Sequence, residues 1–131
     1  MQILLNFKKR QSPIKKEDKM LEISSQELRR CDLVRVKGHV DSASAPELKA
    51  AFDTITEAGR FKIVLNLSET TFMSSAGLRQ LIDTLKTCKR WNRGDLVLAD
   101  VPDKLQEVLD LSGLTSLFKI FDTEVEAVGS F

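Results

Sequence analysis

The sequence predicts one α/β domain built on a mixed, mostly parallel β-sheet with helices packed against it, in the order β-β-α-β-α-β-α-β-α. Three observations carry that prediction. Two early stretches alternate apolar and polar residues with period two, as half-exposed strands do. Two later stretches, Ile63-Val64-Leu65-Asn66-Leu67 and Leu96-Val97-Leu98-Ala99, are nearly all apolar, the pattern of strands covered on both faces. Between these two lies an amphipathic helix long enough for a right-handed crossover. A chain of 131 residues holds one such domain and buries about two thirds of its unfolded surface.

The elements follow in order. Leu21-Glu22-Ile23-Ser24 alternates, Arg29 to Asp32 reads as a turn, and Leu33 to Gly38 alternates again, so the two strands form an antiparallel hairpin. Ser44-Ala45-Pro46-Glu47 has the capping-box pattern, with Ser44 free to cap and Pro46 harmless in a first turn. Leu48, Ala51, Phe52 and Ile55 recur at helical spacing, and Gly59 is placed to end that helix. After the strand over 63–67, Ser68 to Met73 reads as a loop. A helix from Ser75 to Trp91 follows, with the stripe Leu78, Leu81, Ile82, Leu85 and Cys88. Asp100 or Val101 opens a third helix with Pro102 near its first position. Leu105, Val108 and Leu109 form its inner face, and Gly113 ends it. Leu117 to Phe121 reads as a short last strand and Thr123 to Val128 as a short last helix.

Residues 1–20 stand apart from the domain over 21–131. They carry a net charge of +4 and leave −3 for the rest of a chain whose formal charge is +1. They are broken at Ser12-Pro13 and show no helical or strand period. They read as a basic, flexible tail. A sharper reading lets Ile3, Leu4, Leu5 and Phe7, with the basic cluster behind them, touch an anionic surface or a partner.

Composition excludes several functions. Twenty Lys+Arg against nineteen Asp+Glu give no electrostatic case for direct nucleic-acid binding, and with no Tyr and one Trp there is little to stack on bases. No apolar run approaches the ~18 residues of a transmembrane segment. The apolar opening from Met1 to Phe7 is too short for a signal peptide. Cys31 and Cys88 lie far apart and read as reduced thiols of a cytoplasmic protein. With one histidine and no ligand spacing, a zinc site is not expected. No Gly-rich phosphate cradle of either common pattern is present.

In open α/β sheets, chemistry gathers where strands end and helices begin. Here that is Gly38-His39-Val40-Asp41 and Phe72-Met73-Ser74-Ser75-Ala76-Gly77. Either serine can cap the helix behind it, and a phosphorylated serine there would be favoured by the same free N–H groups and the helix dipole. Gly77 sits inside the first turn at a cost of up to about 1 kcal/mol relative to Ala, so something comes close to the backbone there, either a packed element or a partner. A serine hydrolase can also be written, with Ser75 as nucleophile, His39 as base and Asp41 as orienter. Against it, Met73 occupies the first glycine position of the nucleophile elbow.

Asn66-Leu67-Ser68 through Phe72-Met73-Ser74-Ser75-Ala76-Gly77-Leu78 resembles the signature of the STAS domain of bacterial anti-sigma factor antagonists. Gly38-His39-Val40-Asp41 resembles an earlier element of that family. Leu109 to Leu114 and Ile120 to Thr123 resemble its C-terminal pattern. The resemblance spans residues 21 to 128. It implies a STAS fold and places the family's regulatory phosphoserine on Ser75. Ser74 stands where many members have Asp, Ala76 where many have a second Ser, and Asn66 where Asp is common. Ser74 and Asn66 are therefore read as removing negative charge near Ser75. The partner-binding face is expected to hold Asp41, Ser44, Met73, Ser74, Gly77 and Leu78.

The resemblance also implies partners. The unmodified protein would bind an anti-sigma factor serine kinase and free a sigma factor. That kinase would phosphorylate Ser75, and a serine phosphatase would reset it. The domain would be no enzyme and carry no cofactor, since ATP and magnesium would belong to the kinase. The alternative is a STAS scaffold that is never phosphorylated, in a signalling or lipid-transport assembly.

Overall fold

The computed structural model describes residues 21–91 and 93–131; the basic segment over 1–20 lies outside them. β1 (Leu21–Glu27) and β2 (Asp32–Val40) form the hairpin, with Leu21 opposite Gly38 and Glu27 opposite Asp32. The Leu28 N–H donates to the Cys31 carbonyl at 2.8 Å and closes the turn. After it come α1 (Ala45–Glu57), β3 (Lys62–Met73), α2 (Ser75–Arg90) and β4 (Asp95–Ala99). The chain ends with α3 (Asp103–Leu111), β5 (Ile120–Phe121) and α4 (Glu124–Gly129). The sheet order is β1-β2-β3-β4-β5, antiparallel at the first pair and parallel at the rest.

Alternation along β2, β3 and β4 sends neighbouring side chains to opposite faces. Val34, Val36, Ile63, Leu65, Leu96 and Leu98 share one core with Leu48 and Phe52 of α1 and Leu81 and Leu85 of α2. Leu33, Val64, Val97 and Ala99 share a second core with Ala127 of α4. The central strands are apolar throughout because both faces are covered. Cys31 and Cys88 are buried free thiols, and burial pushes the Cys88 thiol up to about 12.

The structure corrects four expectations about where elements run and what they bury. The expected loop from Ser68 to Met73 is the second half of β3, paired with β2 through Gly38 opposite Thr70, His39 opposite Phe72 and Val40 opposite Met73. Two register shifts absorb the mismatch in length, and the Thr70 hydroxyl donates to the Val36 carbonyl at 2.8 Å. Its polar residues hid the strand, because β4 pairs only with Lys62 to Asn66, and beyond that β2 is its one strand neighbour. α3 begins at Asp103, after Asp100 at φ 54 and an extended Pro102, because a residue before proline is pushed out of the helical region. Val108, expected inside, is 38% exposed, so α3 buries only Leu105 and Leu109. The last strand keeps only Ile120 and Phe121.

Candidate functional site

β2 and β3 run parallel and end side by side, and α1 and α2 start just beyond them. The Ser74 N–H donates to the Val40 carbonyl at 2.7 Å and ties the two ends together. Ser74 stays extended, at φ −78 and ψ 174, and caps α2: its Oγ accepts from the Gly77 N–H at 3.3 Å. That gives the oxygen of Ser74 a structural role. Ser75 is the first residue of α2, is exposed, and its hydroxyl makes no hydrogen bond among the described residues. The first turn of α2 holds no acidic residue and the last holds Lys89 and Arg90. The positive end of the helix dipole at Ser75 is thus uncompensated by any side chain of that turn.

Gly77 is explained by packing. A Cβ there would stand 2.7 Å from Met73 Cγ and 2.7 Å from Val40 Cγ1. The close approach needed at this position is between α2 and the ends of β2 and β3. Met73, Gly77 and Leu78 are all buried and hold the loop in place from beneath.

The start of α1 is built differently. The capping box expected of Ser44 and Glu47 does not form, for Ser44 has helical backbone angles and no side-chain cap bond. Its Oγ turns back, accepts from the Asp41 N–H at 2.9 Å and lies 3.1 Å from both the His39 carbonyl and Asp41 Oδ1. Asp41 Oδ1 in turn accepts from the N–H of Ala43 at 3.0 Å and of Ser44 at 2.9 Å. These bonds, the Ser44 N–H first, hold the Asp41 carboxyl below the usual carboxylate range. Ser44 is buried, so its hydroxyl serves this turn.

His39 stacks on Phe72 with ring centroids 4.9 Å apart, and Phe72 is 44% exposed. Phe72 is the feature of this surface that the sequence reading passed over. Once β3 is carried through to Met73, period two sends Met73 inward and Phe72 outward. Among the described residues no hydrogen bond joins Ser75, His39 and Asp41: the His39 ring lies on Phe72, and the Asp41 carboxylate is committed to its own turn. Ser75 is accessible, but among the described residues neither His39 nor Asp41 is bonded to it as a base.

Asn66 does not act at this site. It faces α4, where its amide donates to Glu124 Oε1 at 2.7 Å and Asp100 Oδ2 at 3.3 Å. Arg35 completes the network with two bonds to Glu124, at 3.1 and 2.8 Å. An aspartate at 66 would set a third carboxylate beside two others, so the amide belongs to this network.

The STAS domain family profile matches residues 22–127. The anti-sigma-B factor antagonist of Staphylococcus aureus is 31% identical over 94 residues, covering 71% of this chain and 86% of that protein. Among solved structures, an anti-sigma factor antagonist from Mycobacterium paratuberculosis superposes with a TM-score of 0.76 at 22% identity, covering 84% of this chain and 92% of that one. The Bacillus cell fate determinant SpoIIAA, solved in its phosphorylated form, gives a TM-score of 0.67 at 21% identity, covering 83% of this chain and 98% of that one. Among the described residues no helix is long and apolar enough to cross a membrane.

Proposed function

The chain belongs to the STAS domain family, and from that premise we propose that it is an anti-sigma factor antagonist switched by phosphorylation of Ser75. Unmodified, it binds an anti-sigma factor serine kinase and so frees a sigma factor. Phosphorylated on Ser75 by that kinase, it lets go, and a serine phosphatase resets it. ATP and magnesium belong to the kinase; this domain acts by binding.

One observation carries the reading. Of the two serines at the start of α2, Ser75 alone offers an exposed hydroxyl with no structural duty, for Ser74 caps the helix; before α1, Ser44 is buried in the Asp41 turn, and the exposed Ser42 lies outside the helix and its first turn. The surface around it is half apolar, through Phe72, and is bordered by Asp41 and Ser74. Met73, Gly77 and Leu78 set its shape from below. A phosphate adds about −1.5 to −2 charges at pH 7 to this surface. Leaving that charge unpaired in a protein interface costs several kcal/mol, enough to weaken binding about a thousandfold.

The test is titration calorimetry of the unmodified and the stoichiometrically phosphorylated chain against the purified kinase, with fragment spectra locating the phosphate. A single phosphate on Ser75 and a loss of affinity of that order are expected. Phosphate accepted by Ser74 in a Ser75→Ala chain would overturn the site. Unchanged affinity after phosphorylation would replace the switch by the scaffold reading.

A further inference from the structure

We propose that Arg79 is the intramolecular partner of a phosphate on Ser75, captured one helical turn along α2. Ser75 and Arg79 are both exposed and four residues apart, so their side chains meet on one face of the helix. None of the ion pairs among the described residues includes Arg79. The other cations of α2, Lys86, Lys89 and Arg90, begin eleven residues beyond Ser75, about 16 Å up the axis, out of reach of the phosphate.

Arg79 has one competitor on its own helix, Asp83, four residues further on and also exposed. Two physical differences favour the phosphate. An acid four residues before a base pairs better in a helix than the reverse order, so position 75 is the favoured side of Arg79 and position 83 the disfavoured one. A phosphate dianion also brings more charge and three acceptor oxygens, which suit the planar guanidinium fork. The modification would then withdraw a free cation from the partner-facing surface as well as adding an anion to it. A partner carrying an acidic group opposite Arg79 would lose that contact at the same moment.

This deepens the phosphoserine reading and needs no kinase for its test. Phosphoserine is installed at position 75 during translation, and its second pKa is read by phosphorus NMR titration. The panel is the otherwise unaltered chain and its Arg79→Gln, His39→Gln and Lys86→Gln variants. His39 is the titratable ring on the neighbouring strand end, and Lys86 is the distant charge control. An i,i+4 pair of ordinary strength corresponds to about 0.3 of a pH unit. Arg79→Gln should raise the second pKa by about that much in low salt, and the difference should vanish in 1 M salt. Lys86→Gln and His39→Gln should leave it within error. No rise in Arg79→Gln, or an equal rise in either other variant, overturns the assignment. Because the phosphate is installed directly, a protein that no kinase modifies in the cell would refute the proposed function and leave this result standing.

Discussion

α1 and α2 start at the same end of the sheet, each behind a parallel strand and each preceded by a serine, yet the two serines do different work. Ser44 folds back into a turn with Asp41 and leaves the first turn of α1 without a side-chain cap. Ser74 stays extended and caps α2. At α1 the Asp41 turn claims the Ser44 hydroxyl, which accepts from the Asp41 N–H and lies beside the His39 carbonyl, while the Glu47 N–H it could have capped donates to the Ser44 carbonyl. At α2 no acid stands in that position, so the cap falls to Ser74, and the next serine is left outside with its hydroxyl unused. A serine is left available here by what its neighbour does.

The comparison breaks first at Gly77, where α2 is pressed against β2 and β3; α1 has no equivalent glycine. Gly77→Ala gains up to about 1 kcal/mol of helix propensity. It also drives a methyl into Val40, whose branched side chain cannot turn aside, and such overpacking costs about 1–3 kcal/mol. A net loss of stability in urea melts is expected, together with weaker engagement of the partner as the Ser75 surface shifts. A variant as stable as the parent would show that Val40 and Met73 yield.

Capping is the next effect in size. Ser74→Ala removes the acceptor for the Gly77 N–H and should cost about 1 kcal/mol in the same melts. Ser74→Asp keeps an acceptor at the cap and adds a charge the dipole favours, so it should recover that loss. If Ser74→Ala is neutral, the cap is water-filled and the contrast between the two helix starts disappears.

Much of this fold was legible in the residues. The doubly apolar runs of β3 and β4 and the stripe of α2 follow from burial, which acts on every residue of those segments. The second half of β3 was not legible, because Ser68, Glu69, Thr71 and Phe72 face outward and only Thr70 and Met73 turn inward, and because its pairing is to β2 alone. The contact of Gly77 was legible as a need for close approach, but its two candidate causes could be separated only by seeing Val40 and Met73. Ser44 was misread for a related reason. The capping-box spacing is a local signal, and Asp41, three residues earlier, outcompetes it. Asn66 looked like a lost charge near Ser75, while its true neighbours, Asp100 and Glu124, are 34 and 58 residues away in the chain.

A smaller effect comes from acid. The Asp41 carboxyl is held below its ordinary value chiefly by the Ser44 N–H, then by the Ser44 hydroxyl. Its ionised form is therefore favoured in the fold, and the stability this gives is fully present above the unfolded pKa of about 3.9. That stability is lost as pH falls through the lower, folded value. Asp41→Asn keeps an acceptor for the same turn without a titrating group. Guanidinium melts from pH 6 to pH 2 should show the parent losing more stability on acidification than Asp41→Asn. Parallel curves would mean that the turn at α1 does not depend on charge.

The smallest effect on stability is expected at Ser75, and its smallness is the point. Ser75 is exposed, caps nothing and bonds to nothing among the described residues, so Ser75→Ala should change stability by no more than about 0.5 kcal/mol. The same change removes the proposed phosphoacceptor, so the variant should stay folded, bind the kinase and resist release in the presence of ATP. Ser75→Asp also keeps the fold, since the helix dipole favours a negative group in the first turn. It should weaken binding only in part, because one carboxylate carries less charge and fewer acceptor oxygens than a phosphate. Melting curves and calorimetry against the kinase, run on the same four chains with Ser74→Ala as the fourth, separate the two serines. Ser74→Ala should move the melt and still accept phosphate; Ser75→Ala should leave the melt in place and refuse phosphate. If the effects are exchanged, the roles drawn from the cap geometry are exchanged with them. If Ser75→Ala alone lowers the melt by several degrees, Ser75 has a structural duty, and its exposed hydroxyl no longer sets it apart from its neighbour.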